Sequence, residues 1–219
     1  MEILLESFEY LTDPNWIMAR GGLYLILLIL IIETGMFFGF FLPGDPLLFI
    51  SGMIIASAEQ AAHPFDNQIF NLLFWEGLFI GGAILGNLVG YWTGSKFGHL
   101  INNRKKDYWL LKRKHVESAH QFYEKRGGFA IVISRFLPVA RTFVPIIGGM
   151  VKMDFKKFTF FSSLGAVVWV GSLVTLGYAL GENQWVNNNL EWTLLGIVLV
   201  VTLPVVFKFI FAKKKKATE

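Results

Sequence analysis

The sequence predicts an all-α polytopic membrane protein, with about four transmembrane helices and two re-entrant helical hairpins related as inverted repeats. Three observations lead there. Of the 219 residues, 54% are hydrophobic, and the mean hydropathy of +0.51 is too high for an ordinary soluble domain. Apolar stretches long enough to cross a bilayer alternate with shorter ones interrupted by proline and glycine. Finally, FLPGDPLLFISGM (41–53) is repeated as FLPVARTFVPIIGGM (136–150), and each copy is followed by a span closing on G-Y-x-x-G, at 90–94 and 177–181.

Residues 1–22 carry Glu2, Glu6, Glu9 and Asp13, lack a basic leader and break at Pro14. They are expected to form an amphipathic surface segment without a cleavable signal. The membrane domain is placed at 23–211. Its first span, 23–41, has Glu33 near the middle. The segment at about 41–58 is apolar but short, is interrupted by Pro43, Gly44 and Pro46, and carries Asp45. The loop after it, as far as Glu76, holds Glu59 and Asp66 but no Lys or Arg. Such a loop is external, so the segment before it is a hairpin entering from outside. Residues 73–95 span again, and GNLVGYWTG (86–94) offers small residues for close helix contact.

A basic segment, 96–126, is cytoplasmic by the same charge rule. The next stretch, GGFAIVISRFLPVARTFVPIIGGMV (127–151), is apolar yet contains Arg135, Arg141, Pro138 and Pro145. A plain spanning helix would suffer from two central arginines and from the missing backbone donors. Lys125 and Arg126 precede it and Lys152, Lys156 and Lys157 follow, so both ends belong on the cytoplasmic side. The expected geometry is a second hairpin turning near Pro138–Arg141. Pro43, Gly44, Pro138, Pro145, Gly148 and Gly149 are the residues expected to shape the two hairpins. Residues 158–181 then span outward, 182–190 form an external loop, and 192–211 return to a Lys-rich cytoplasmic tail at 212–219. Both termini come out inside.

Repeats of opposite orientation place a site where two broken elements meet near the midplane. Arg135, Arg141, Glu33 and Asp45 are its candidates. Arginine stays charged and presents a planar fork suited to phosphate. The competing reading is that acids bind both arginines permanently, since two carboxylates suffice for two guanidiniums. A low-dielectric site opposes ionisation of a carboxyl while an arginine neighbour favours it, and a group under both influences suits proton exchange. For Asp45 a helix cap is an equal reading, because PGD before an apolar run is also how a helix begins. Glu33 has no such alternative. The absence of cysteine excludes disulfides and thiolate catalysis,. His63, His99, His115 and His120 lie outside the apolar core without HExxH spacing, so no metal or cofactor is expected. Ser134 and Thr142 lack an evident base, which argues against an enzyme. The net charge of +4 sits in the cytoplasmic segments, as beside an anionic leaflet, and is no nucleic-acid footprint.

Glu33, F-L-P-G-D (41–45), G-Y-x-x-G (90–94) and R-F-L-P-V-A-R-T-F-V-P-x-x-G-G (135–149) together resemble the DedA family of bacterial inner-membrane proteins, related to the eukaryotic lipid scramblases of the same superfamily. The resemblance runs from about Gly22 to the tail. It implies two facing re-entrant hairpins, an inner-membrane location and a role in moving lipid carrier phosphates, chiefly undecaprenyl phosphate. It also implies that the functional positions are the acidic pair, Glu33 and Asp45, and the arginine pair, Arg135 and Arg141; by their chemistry the first pair suits protons and the second phosphate. The expected function is therefore a lipid-phosphate flippase coupled to protons, with homo-oligomers permitted. The alternative is a proton-coupled antiporter for a small cation or drug that maintains the proton-motive force.

Overall fold

The computed structural model describes residues 14–36, 39, 42–57, 64–102, 128–197 and 199. Residues 1–13, most of the basic segment 96–126, the later part of the expected last span and the Lys-rich tail lie outside the described residues. Every regular element described is helical: α1 (Pro14–Arg20), α2 (Gly22–Gly35), α3 (Gly44–Ala56), α4 (Gln68–Asn102), α5 (Phe129–Ser134), α6 (Pro138–Met150), α7 (Phe155–Leu180) and α8 (Gln184–Asn188). Residues 190–197 are helical too.

Two helices are long and apolar enough to cross a membrane, α4 over Gln68–Lys96 and α7. A third candidate arises if α1 and α2, bent by 95° at Gly21–Gly22, count as one broken span. Gly22 supplies that bend with a φ of 57°, a conformation open to glycine at little cost. Both long helices expose large apolar residues on their outer faces, among them Phe70, Leu85 and Trp92 on α4 and Phe160, Val167 and Leu176 on α7. Hydrocarbon, not water, suits such a surface.

The first expected span is shorter than its apolar pattern suggested. Helix α2 stops at Gly35, where the Met36 amide closes on the Ile32 carbonyl. Gly39 then lies so close to the Glu33 backbone that a Cβ there would overlap it. Turn bonds run from Gly39 N–H to the Met36 carbonyl and from Leu42 N–H to the Gly39 carbonyl. Glu33 consequently sits in the last turn of α2, not at mid-span. Helix α3 follows, its 13 residues all buried. At 1.5 Å per residue it covers about 20 Å, against roughly 30 Å of bilayer hydrocarbon.

The central segment is broken, as its prolines and arginines demand, but the break lies at 135–137 instead of Pro138–Arg141. Amides of Arg135, Phe136 and Leu137 bond to carbonyls three residues back, a tightened final turn. Leu137 is then extended, and Pro138 opens α6, where its fixed φ and missing N–H cost nothing. Arg141 therefore rides on a helix. Pro145, Gly148 and Gly149, expected to shape the hairpin, lie within α6 and serve packing instead. The helix ends with paired bonds, Met153 N–H to the Gly148 carbonyl and Lys152 N–H to the Gly149 carbonyl, with Lys152 at φ 53°. This is a Schellman stop. Asp154 immediately caps α7 by accepting from the Lys157 amide at 2.8 Å,. The expected external loop 182–190 contains α8, capped by Asn183.

Glycines decide which helices meet. On α4 they recur at 82, 86, 90 and 94, one per turn along a single face. A Cβ at Gly82 or Gly86 would strike α2, and one at Gly90 or Gly94 would meet α6. The two repeats exchange partners. Gly52 of α3 presses on the α7 backbone at Val174–Tyr178, and Gly149 of α6 presses on the α4 backbone at Tyr91–Ser95. Each short helix thus seats on the span of the other repeat, against its G-Y-x-x-G segment.

Overpacking such contacts costs about 1–3 kcal/mol. Gly52→Ala and Gly149→Ala should each lower the melting temperature of the detergent-solubilised protein. Gly81→Ala and Gly171→Ala, whose added Cβ meets nothing within 4 Å, should leave it unchanged or raise it. Thermal unfolding of the four variants side by side checks this, and equal behaviour would refute the assignment of close contacts.

Candidate functional site

The start of α3 lies against the end of α2, which brings two acids together. Gly44 makes this possible, because a Cβ there would overlap the Glu33 carboxylate. Asp45 lies in the first turn of α3, where the helix dipole favours a negative charge. It is not the cap: that position belongs to Pro43, and no side-chain cap bond forms. The Asp45 carboxylate is engaged elsewhere.

Its main partner is Arg141, one turn into α6. Nη1 of Arg141 donates to Asp45 Oδ1 and Nη2 donates to Glu33 Oε1. One planar fork therefore holds both carboxylates. The three side chains are almost wholly enclosed, with residue exposures from 0% at Glu33 to 7% at Asp45. Charges in such surroundings persist only when paired. The indole N–H of Trp169, on α7, adds a second donor to Asp45 Oδ1 at 2.8 Å.

Arg135 stands apart. It closes α5, is 3% exposed, and pairs with neither acid. Its Nη2 reaches only the Ser162 hydroxyl, at 3.4 Å, and its Nη1 has no partner. Both guanidiniums lie near the Trp169 ring, 4.9 Å from its centroid for Arg141 and 5.6 Å for Arg135, so the ring's negative face helps hold both cations. The expectation of two arginines for two acids resolves unevenly: one arginine takes both acids and the other takes neither.

Three residues of the site were not singled out by sequence reasoning. Trp169 is fully buried and touches three of the four charged groups. Ser162 lies seven residues earlier on the same helix, two turns away on one face. Asn87, on α4, donates from Nδ2 to Ser162 Oγ at 2.8 Å, while its Oδ1 has no partner. A polar side chain inside an apolar span is itself a signal, and Asn87 and Ser162 both gave it. Of the remaining candidates, Ser134 spends its hydroxyl on the Ile131 carbonyl of its own helix. Among the described residues no group of three His, Cys, Asp or Glu comes together to hold a metal. The chemistry the cluster offers is ionic: two carboxylates held by one guanidinium, and an unspent guanidinium donor on Arg135.

A family model described as the VTT domain matches residues 25–179, which include all seven site residues. The chain is 36% identical over 193 residues to Protein DedA of Escherichia coli (strain K12), covering 88% of this chain and 84% of that protein. It is 34% identical over 210 residues to Uncharacterized membrane protein Rv0364 of Mycobacterium tuberculosis (strain ATCC 25618 / H37Rv), covering 93% and 88%. It is 35% identical over 180 residues to Inner membrane protein YqjA of Escherichia coli (strain K12), covering 81% and 74%. No solved structure matches.

The unequal pairing predicts unequal damage. Arg141→Met strands two buried carboxylates and should cost about 3–5 kcal/mol of stability. Arg135→Met gives up one long hydrogen bond and a ring contact and should cost no more than about 1.5 kcal/mol. Adding Glu33→Gln and Asp45→Asn to Arg141→Met should recover much of the loss. Thermal unfolding in detergent measures all three, and similar losses for the two single variants would contradict the pairing.

Proposed function

From the VTT-domain (DedA) family, to which this chain belongs, we propose that the protein translocates a lipid carrier phosphate across the bacterial inner membrane, coupled to protons. The substrate is undecaprenyl phosphate or a phospholipid with a similar headgroup, whose tail stays in the bilayer while the headgroup passes the buried cluster. The observation that carries this reading is the uneven ion pairing. Arg135 keeps an unspent donor, Nη1, and is the first contact for an anion. Arg141 is occupied while both acids are ionised. Two arginines and two carboxylates sum to zero charge, so the resting site holds no excess positive charge for phosphate. Protonation of Glu33 or Asp45 loosens the hold on Arg141 and leaves one positive charge. A phosphate then restores neutrality and takes the freed fork. Proton and phosphate therefore favour each other's binding, which is what coupling requires. The basic segments and the tail face the cytoplasm in this scheme.

The second reading is a proton-coupled antiporter for a small cation, favoured by one observation: Glu33 Oε2 is buried without a partner. A cation there would still have to displace Arg141 from Oε1.

In proteoliposomes, translocation of a lipid phosphate should increase with an imposed pH gradient, and Glu33→Gln should flatten that dependence. Arg135→Lys and Arg141→Lys keep the charge but lose the planar fork, so both should be severely impaired. A lipid phosphate at about 100 times its dissociation constant should stabilise the wild type by about 2.7 kcal/mol. The lysine variants should lose that shift, and a neutral lipid of equal chain length should give none. Normal transport by both lysine variants would refute the phosphate role of the arginines.

A further inference from the structure

Beside the ion-paired cluster lies a second polar group, Arg135, Ser162 and Asn87, drawn from three different helices. Each is at least nine-tenths buried, with exposures of 3%, 4% and 2%. The Ser162 oxygen accepts from both neighbours, Asn87 Nδ2 at 2.8 Å and Arg135 Nη2 at 3.4 Å. That leaves three unspent capacities within one small region. Arg135 Nη1 is a donor without an acceptor, and Asn87 Oδ1 is an acceptor without a donor. In its bonds to Asn87 and Arg135, Ser162 Oγ is the acceptor, so neither uses its hydroxyl proton. Buried polar atoms left unmatched are costly, and two on adjoining side chains mark a place that a ligand completes.

We propose that Asn87 and Ser162 read the headgroup as a singly protonated phosphate monoester. The pattern is two donors and one acceptor. A monoester monoanion answers it in full: two of its oxygens accept from Arg135 Nη1 and the Ser162 hydroxyl, and its P–OH donates to Asn87 Oδ1. A phosphodiester has no P–OH, and a doubly ionised monoester has none either, so each leaves the Asn87 oxygen without a donor from the headgroup. Gly165 keeps the region narrow, since a Cβ there would lie 3.1 Å from Arg135 Cγ. The inference rests on the lipid-phosphate reading above and sharpens it to one class of headgroup. It also gives Asn87 and Ser162 a specificity role distinct from the ionic role of the four charged residues.

The test is competition between two lipids in phosphatidylcholine vesicles carrying the full-length protein. One is acyl-labelled phosphatidic acid, a monoester, and the other is acyl-labelled phosphatidylglycerol, a diester. One hydrogen bond to a charged headgroup corresponds to roughly a tenfold to hundredfold preference, so the wild type should favour the monoester by that factor. Asn87→Leu and Ser162→Ala should narrow the preference to within about threefold, with the monoester slowed more than the diester. Asn87→Asp is close in shape and sets a negative charge against the phosphate, so it should depress monoester transport selectively even if the leucine variant folds poorly. A wild type that moves both lipids equally, or variants that keep the monoester preference, would overturn this inference and leave the transport reading standing. A wild type that moves neither lipid would also overturn this inference, and failure to move undecaprenyl phosphate as well would overturn the transport reading.

Discussion

The guanidinium of Arg141 is the constraint on which the rest depends. Two carboxylates cannot sit side by side in a low-dielectric interior unless a cation is held between them, and the cation cannot sit there without them. Satisfying that condition fixes three helix ends at once. It sets the end of α2 through Glu33, the start of α3 through Asp45 and the first turn of α6 through Arg141. Trp169 ties the same point to α7. Four elements distant in the chain therefore meet on an ionic contact, while apolar packing fills the space around it.

Glycine makes that meeting sterically possible. Within a bilayer, helices gain nothing from hiding apolar side chains from one another, so close backbone approach and dispersion must hold them. The spacing of glycines on α4 lets one helix receive α2 along its first half and α6 along its second. Gly44 does the same service at the scale of single atoms, by leaving room for the Glu33 carboxylate beside the first turn of α3.

Much of this was legible in the sequence because the residue types announce their constraints. Long apolar runs with glycine stripes gave α4 and α7. Arginines and prolines inside an apolar segment required a break, and the break is there. Its position was less legible, since a proline is as good at opening a helix as at turning a chain; the turn fell before Pro138 and carried Arg141 onto α6. Apolar character likewise overstated the first span, because nothing in the run up to Phe41 reveals that Gly39 folds back on the Glu33 backbone. The four charged residues stood out singly. Their partition did not, for Arg141 lies 96 residues from Asp45 and 108 from Glu33, beyond the reach of local periodicity. Asn87 and Ser162 were legible as polar residues inside apolar spans, but Trp169 is ordinary in isolation and matters only through its neighbours.

The exchange of partners between the repeats has a consequence for biosynthesis. Helix α3 emerges early but seats on α7, which begins about a hundred residues later, roughly ten seconds of translation at ordinary rates. Throughout that interval α3 is too short to cross the bilayer, and Asp45 awaits both Arg141 and Trp169. The first half of the chain must therefore be held by lipid, or by the insertion machinery, in an unfinished state. Consolidation is a single late event, in which arrival of the second half locks the first. Chains interrupted before residue 155 lack the surface on which α3 rests, which makes them natural substrates for membrane quality control.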